Sequence, residues 1–300
     1  MVLKYDNLHS FSESVTCSFD QKFQEQSFGQ INYDIYEGIS LTIYDCNTDV
    51  AQFDEIPTIY GILHDSKKIF SLQKNQVTIN NEITYSMINI GVNRVKIISK
   101  ELYIGSTWFN RDQKFTKAQF SLDFFDNWFT HGSLEDECRI KTKIPLEEIT
   151  FELFELLYTD YTGHKNAGVN KSIYETKMNY LLEYDHEKTG SEIRKNIRRI
   201  QNFYTFLLSR ASPIKKISFY TGPGLDQQHL FINQISLKEY SEVSVVKLCK
   251  YDKIFDNLPK MLTNWLSIYD KYRVIIENTI GDIEKKSYIE NVFLNNCVLQ

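Results

Sequence analysis

The sequence predicts an α+β fold that is mostly antiparallel β. It comprises a β-sandwich-like N-terminal domain, a second β-rich subdomain with one inserted helix, and a helical C-terminal segment. Three observations lead there. Short runs with two-residue alternation fill the first half, divided by turn residues. Residues 191–211 and the stretch after 256 change to helical spacing. The chain has 20 Phe and 19 Tyr but only 12 Gly and 5 Pro, which favours packed strands over disorder. Three hundred residues suffice for more than one core, and the expected division is 1–160, 161–250 and 251–300.

Residues 30–36 alternate, with Ile31, Tyr33 and Ile35 on one face. Gly38 breaks the run, and Ile39, Leu41 and Ile43 resume it. Residues 58–63 and 67–72 flank His64-Asp65-Ser66, a hairpin loop. Runs 76–79, 83–90 and 94–99 continue the pattern, and such spacing suits a sandwich or a barrel-like sheet. Residues 107–129 are aromatic, with 117–124 alternating as a strand and 123–129 spaced as a short helix. Strands are expected at 138–144, 148–158 and 172–183, with a loop at 161–171. A helix follows from an N-cap at Ser191, with Ile193, Ile197, Ile200, Tyr204, Leu207 and Leu208 as its apolar stripe and Pro213 as its stop. Residues 215–220 and 229–235 read as a hairpin, and 242–249 as a last strand. Leu258, Met261, Leu262, Trp265, Ile268, Tyr269 and Tyr272 keep helical spacing, with Pro259 in the first turn and a break at Gly281-Asp282. Residues 287–300 read as a further helix without a stop signal. Its apolar face is Ile289, Val292, Phe293 and Cys297, expected to meet a further domain or a second copy.

The net charge of −5 is unevenly spread. Residues 1–190 carry 18 Lys+Arg against 28 Asp+Glu, and residues 191–300 carry 16 against 11. Much of the basic excess sits on one helix, as Arg194, Lys195, Arg198 and Arg199, expected on the face opposite the apolar stripe. Four cations there suit the phosphates of RNA, or a solvated helix face. Trp108 and Phe109, beside Asn110 and Arg111, are the candidate stacking platform, with core packing the alternative. Five scattered cysteines make no zinc pattern and suit a reducing, cytoplasmic setting. Six histidines form no metal-binding pair, and neither Gly-x-Ser-x-Gly nor a phosphate loop is present. No catalytic, cofactor or metal motif emerges, and no run is long enough to span a membrane.

The order of several degenerate segments resembles the N-terminal region of ApeA-type proteins. These segments are Gly38-Ile-Ser-Leu-Thr-Ile-Tyr-Asp45, Pro57-Thr-Ile-Tyr-Gly61, Lys68-Ile-Phe-Ser-Leu72, Phe120-Ser-Leu with Trp128, and Leu258…Leu262-x-x-Trp265 leading towards Phe293-Leu294. The resemblance spans residues 25–300 and implies a bacterial anti-phage, abortive-infection protein with a C-terminal HEPN ribonuclease domain. That family's activity rests on Arg-x4–6-His, which this chain lacks, so the resemblance transfers no catalytic residue. It implies a sensing or regulatory region whose partners are a HEPN domain or partner chain and a phage protein trigger. RNA and a homodimer are further expected partners. The alternative from the residues alone is a stand-alone β-rich carbohydrate- or nucleic-acid-binding protein.

Overall fold

A computed structural model describes residues 9–34, 37–44, 57–78, 94–123, 139–144, 149–160, 173–221, 226–232 and 255–284. The chain divides into two units, each discontinuous in sequence: Met1–Phe115 with Lys216–Tyr240, and Thr116–Lys215 with Ser241–Gln300.

The first unit is built on β1 (Phe11–Ser18), β2 (Ser27–Asp34), β3 (Gly38–Tyr44), β4 (Ile59–Leu63), β5 (Ile69–Thr78) and β6 (Arg94–Gly105). They run in the order β3-β2-β1-β4-β5-β6, and β3 pairs back onto β6, so six antiparallel strands close a barrel. The α+β, mostly antiparallel class is the one the sequence predicts, and the front strands take the closed form. Closure leaves neither β3 nor β6 as a free edge within the ring. Alternation sends Val15, Ile31, Leu41, Leu63, Phe70 and Leu72 inward, with Ile97, Leu102 and Ile104 from β6.

Two glycines are needed here. Gly38 opens β3 at φ 87°, a conformation open to glycine without steric penalty. Gly61 stands opposite Phe70, whose ring fills the space that a Cβ would take. The expected hairpin at residues 64–66 is present, joining β4 to β5. The separate run expected at 76–79 is the end of β5 as far as Thr78. Strand β1 had no counterpart in the sequence reading.

Strand β6 changes partners along one edge. Its first half pairs β3, ending at Ser99 with Ile39, and its second half pairs β12 (Asp226–Ile232), starting at Glu101 with Ile232. The inward alternation reverses over the same stretch, since Ile97 and Leu102 both enter the barrel core. Opposite on β5, Lys74 has φ 57° and pairs its ammonium with the buried Glu101 carboxylate. Tyr103 donates its hydroxyl to the other Glu101 oxygen at 3.0 Å. Strand β12 is the second arm of a hairpin with β11 (Ile214–Thr221), as the sequence predicts.

One barrel end is polar. Alternation puts Glu13 with Val15, Lys68 with Phe70 and His229 with Phe231, all turned to the barrel side. The amide and hydroxyl of Ser66 donate to Glu13 at 3.3 and 3.2 Å. His229 Nδ1 lies 3.0 Å from Ser218 Oγ. Burial, and then the Lys216 and Lys68 charges, hold His229 down to about 3.

The second unit holds the rest of β7 (Lys114–Leu122), with β8 (Arg139–Ile144), β9 (Ile149–Asp160) and β10 (Ile173–Thr189), in the order β7-β10-β9-β8. Helix α1 (Gly190–Leu208) follows β10 directly. Its N-cap is Thr189, not the expected Ser191. Thr189 and Glu192 form a capping box: the Thr189 amide donates to Glu192 Oε2 at 2.8 Å, and the Glu192 amide to Thr189 Oγ1 at 3.3 Å. Beyond its expected end at residue 183, β10 continues through the exposed Asp185, His186 and Glu187 to Thr189.

One α1 face packs on the sheet through a ring column. Phe120 and Phe151 lie 4.7 and 5.7 Å from Tyr180, and Tyr180 lies 5.4 Å from Tyr204. The other face packs against α2 (Leu258–Tyr269) and α3 (Arg273–Glu284). Pro259 sits in the first turn of α2, as expected. The break expected at Gly281-Asp282 falls instead at Asp270–Tyr272, because α3 runs through Gly281 and anchors by buried Ile280 and an Arg198–Glu284 contact. The runs 83–90, 161–171, 242–249 and 287–300 lie outside the described residues, as does 123–129 beyond Asp123.

The depressed His229 fixes a pH response. Between about pH 6.5 and about 3 the unfolded chain binds a proton that the folded chain refuses, so stability falls as pH falls. Urea unfolding is expected to lose roughly 1.4 kcal/mol per pH unit from this group across that window. His229→Gln is expected to remove that share of the slope; an unchanged slope would refute the assignment.

Candidate functional site

The basic helix does not present four cations to solvent. Arg199 is only 3% exposed, so its expected place opposite the apolar stripe is corrected. It donates from Nη2 to Asp270 Oδ2 at 2.5 Å, and its guanidinium lies 5.6 Å from the Tyr269 ring centre. Its carbonyl accepts from Trp265 Nε1 at 3.0 Å. Asn202 Nδ2 donates to the Tyr269 hydroxyl at 2.7 Å, and Phe203 lies 5.7 Å from Trp265. The sequence reading failed here because it gave α1 a single apolar stripe, whereas the helix is covered on two sides. The available signal was the uncharged polar set Asn196, Gln201, Asn202 and Thr205, unusual for a solvated face.

Its neighbours are exposed or half-buried. Lys195 Nζ lies 4.0 Å from Asp270 Oδ1. Arg198 donates to Gln201 Oε1 at 2.9 Å and to Glu284 Oε1 at 3.4 Å. Arg194 is half-buried. The Arg199 hydrogen bond holds the Asp270 carboxyl below its usual range, helped by the Arg199, Lys195 and Arg273 charges against slight desolvation. Burial pushes the Tyr269 phenol up, against the Asn202 hydrogen bond. Arg199 therefore fastens α1 to the end of α2, and what solvent meets is Lys195 and Arg198, each close to an acid.

Trp108 and Phe109 also part company. Phe109 is 2% exposed and stacks on Tyr103 at 3.5 Å, continuing through Phe115 to Phe219 at 6.0 and 4.9 Å. Its amide donates to Ser71 Oγ at 3.1 Å. Phe109 is core. Trp108 is half-buried, stacked on Phe23 at 5.2 Å and met edge-on by Tyr60 at 5.6 Å. Phe23 has φ 57°, with its amide bonded to Asp20 O at 3.0 Å. An aromatic residue in the left-handed region is strained, and here the β1–β2 loop holds it against Trp108. The Trp108 indole N–H and the Tyr60 hydroxyl have no hydrogen-bond partner among the described residues. Three half-buried rings with two open polar tips can stack on a flat or CH-rich surface and orient it by hydrogen bonds. Sequence reasoning missed Phe23 and Tyr60, which lie far from Trp108 in the chain.

Ile289, Val292, Phe293 and Cys297 lie outside the described residues. Among the described residues no three His, Cys, Asp or Glu side chains converge on a metal-binding geometry, and no helix is long and apolar enough to cross a membrane.

The family model for ApeA N-terminal domain 1 matches residues 19–265. The chain belongs to this family. It is thereby a region of an anti-phage defence protein. No curated protein and no solved structure gives a match. The ApeA N-terminal span takes in Phe23, Tyr60, Trp108 and Arg199 and ends at Trp265 inside α2.

Arg199→Ala is expected to destabilise the chain by roughly 2–4 kcal/mol in urea unfolding, since it removes a buried side chain holding α1 to α2. Lys195→Ala should stay within about 0.5 kcal/mol. Equal effects would sink the fastening role.

Proposed function

We propose that this chain is the non-catalytic sensing and regulatory region of a HEPN ribonuclease system that protects bacteria by abortive infection in the cytoplasm. The observation that carries the reading is the family match over residues 19–265, in a sequence where no arginine is followed by the Arg-x4–6-His spacing. The recognition surface in this reading is the Phe23–Tyr60–Trp108 cluster, whose open polar tips suit contact with a phage protein. The nuclease is a HEPN domain or partner chain, met through Ile289, Val292, Phe293 and Cys297. Two assays test it together. The purified chain should leave total RNA intact. In a host carrying the complete defence locus, Trp108→Ala should lower protection against phage plating by at least about tenfold while the thermal midpoint stays put. RNA cleavage by the chain alone, or full protection from the variant, would overturn the reading.

Two separate features favour a second reading, a carbohydrate- or nucleic-acid-binding protein: the unbonded indole of Trp108 in the first unit, and the exposed Arg198 and Lys195 in the second. Titration of single-stranded RNA or an oligosaccharide against tryptophan fluorescence separates the two. A nucleic-acid reader is expected to show saturable quenching that weakens steeply with salt and with Arg198→Ala. Quenching by the sugar alone identifies the carbohydrate version, and a flat titration with both ligands removes the second reading.

A further inference from the structure

One outer face of the barrel carries cations and no acid. Alternation turns every second residue away from the core: Ser12 to Thr16 in β1, Phe28 to Asn32 in β2, Ser40 to Tyr44 in β3 and Arg94 to Ile98 in β6. Each of these residues is exposed or half-buried. None is Asp or Glu, in a chain with 39 acids against 34 Lys+Arg. Arg94 and Lys96 are exposed, and neither forms an ion pair among the described residues. On α1, by contrast, Lys195 and Arg198 each lie close to an acid.

Strand pairing arranges the face in two rows. Thr16, Phe28, Tyr44 and Arg94 stand opposite one another in turn, and so do Ser14, Gln30, Thr42 and Lys96. The first row is aromatic and ends in a cation. Phe28 is 63% exposed, and its ring meets no other ring among the described residues. The Arg94 guanidinium lies 5.5 Å from the Tyr44 ring centre. The second row is amide and hydroxyl. Gln30 accepts from the Tyr44 hydroxyl at 3.2 Å and donates to Ser12 Oγ at 2.8 Å, which orients its amide and leaves a second N–H and a second lone pair. Ser12 passes the chain on by donating to Asn32 Oδ1 at 2.6 Å.

These chemistries converge on one ligand. Ring faces stack bases, guanidinium and ammonium groups hold phosphates, and an oriented amide bonds base edges. Rings on neighbouring strands stand about 5 Å apart, within reach of successive bases. A face with two open cations and no acid complements a polyanion better than a surface of mixed charge. We propose that this face of the barrel, centred on Phe28, Tyr44, Arg94 and Lys96, binds single-stranded nucleic acid. The bound strand lies across β2 and β3 with phosphates towards β6. Its contacts are to bases and phosphates, which RNA and DNA share, so the face accepts either sugar. The site uses neither Trp108 nor Arg198, and it stands whether or not the sensing role holds.

Fluorescence anisotropy of a labelled oligothymidylate of about ten nucleotides, titrated with the full chain to about 100 µM, is the test. Saturable binding is expected, with oligouridylate of the same length within about fivefold. Phe28→Ala should weaken binding about tenfold, and Phe28→Trp should keep it within about threefold of the unaltered chain. Neither should change the slope of log affinity against log salt. Arg94→Ala combined with Lys96→Ala should make that slope shallower by about 1.4, while Lys271→Ala in the second unit leaves it as it was. Thermal midpoints should stay put in every variant, because each altered side chain lies at the surface. No binding at the highest concentration, a strand indifferent to Phe28→Ala, or a preference above about fivefold for one sugar would each overturn the proposal.

Discussion

Strand β6 is the element on which the first unit turns. One of its edges serves two strands in succession: β3, which closes the barrel, and then β12, which leads away from it. A strand can do this only if its side-chain alternation is reset between the two partners, because the barrel side for one stretch is otherwise the wrong side for the next. The reset lies between Ile97 and Leu102, beside the left-handed backbone of Lys74. Ser99 holds the site by donating to Gln73 O at 2.7 Å and accepting from the Glu101 amide at 3.3 Å. Buried polar groups are costly unless bonded, and here Ser99, Glu101 and Tyr103 bond to the backbone or to each other where the ladder changes partner.

The second unit depends on a helix with two buried faces. Against the sheet, α1 uses rings and aliphatic groups; against α2 and its end it uses Arg199, Asn202 and Phe203, and against α3 it uses Arg198. The two contacts differ in physical kind. The first is area removed from water, tolerant of small shifts, and the second fixes direction, because a guanidinium–carboxylate bond and an amide–phenol bond have narrow geometries. The helical layer thus has a defined rotation about α1 that apolar packing alone would leave loose.

Much of this was legible from period-two alternation: β2 to β6, the β4–β5 and β11–β12 hairpins and the class of fold all show in it. Strand β1 was hidden because Glu13 takes an inward position where alternation asks for an apolar residue, and its carboxylate is satisfied by the residue 64–66 turn. The start of α1 was misplaced because Ser191 is a good cap in isolation, while the reciprocal Thr189–Glu192 pattern is better. The site was legible only in part. Trp108 was identified, but its companions Phe23 and Tyr60 come from other strands and loops, and Arg199 was read as solvated because a one-stripe helix leaves it outside. Pairing between distant segments sets both outcomes, and local sequence has no access to it.

The direct passage from β10 into α1 couples two kinds of order. Thr189 closes the strand and Gly190 opens the helix, with no residue between to take up slack. Were β10 to slip by one residue against β9, the helix would have to advance by one residue as well, a turn of about 100° about its axis. Arg199 would then swing away from Asp270 and Tyr204 from Tyr180. The sheet's register is in this way proofread by a helix that does not belong to it, and the alignment of the helical layer reports on whether the strands beneath are correctly matched.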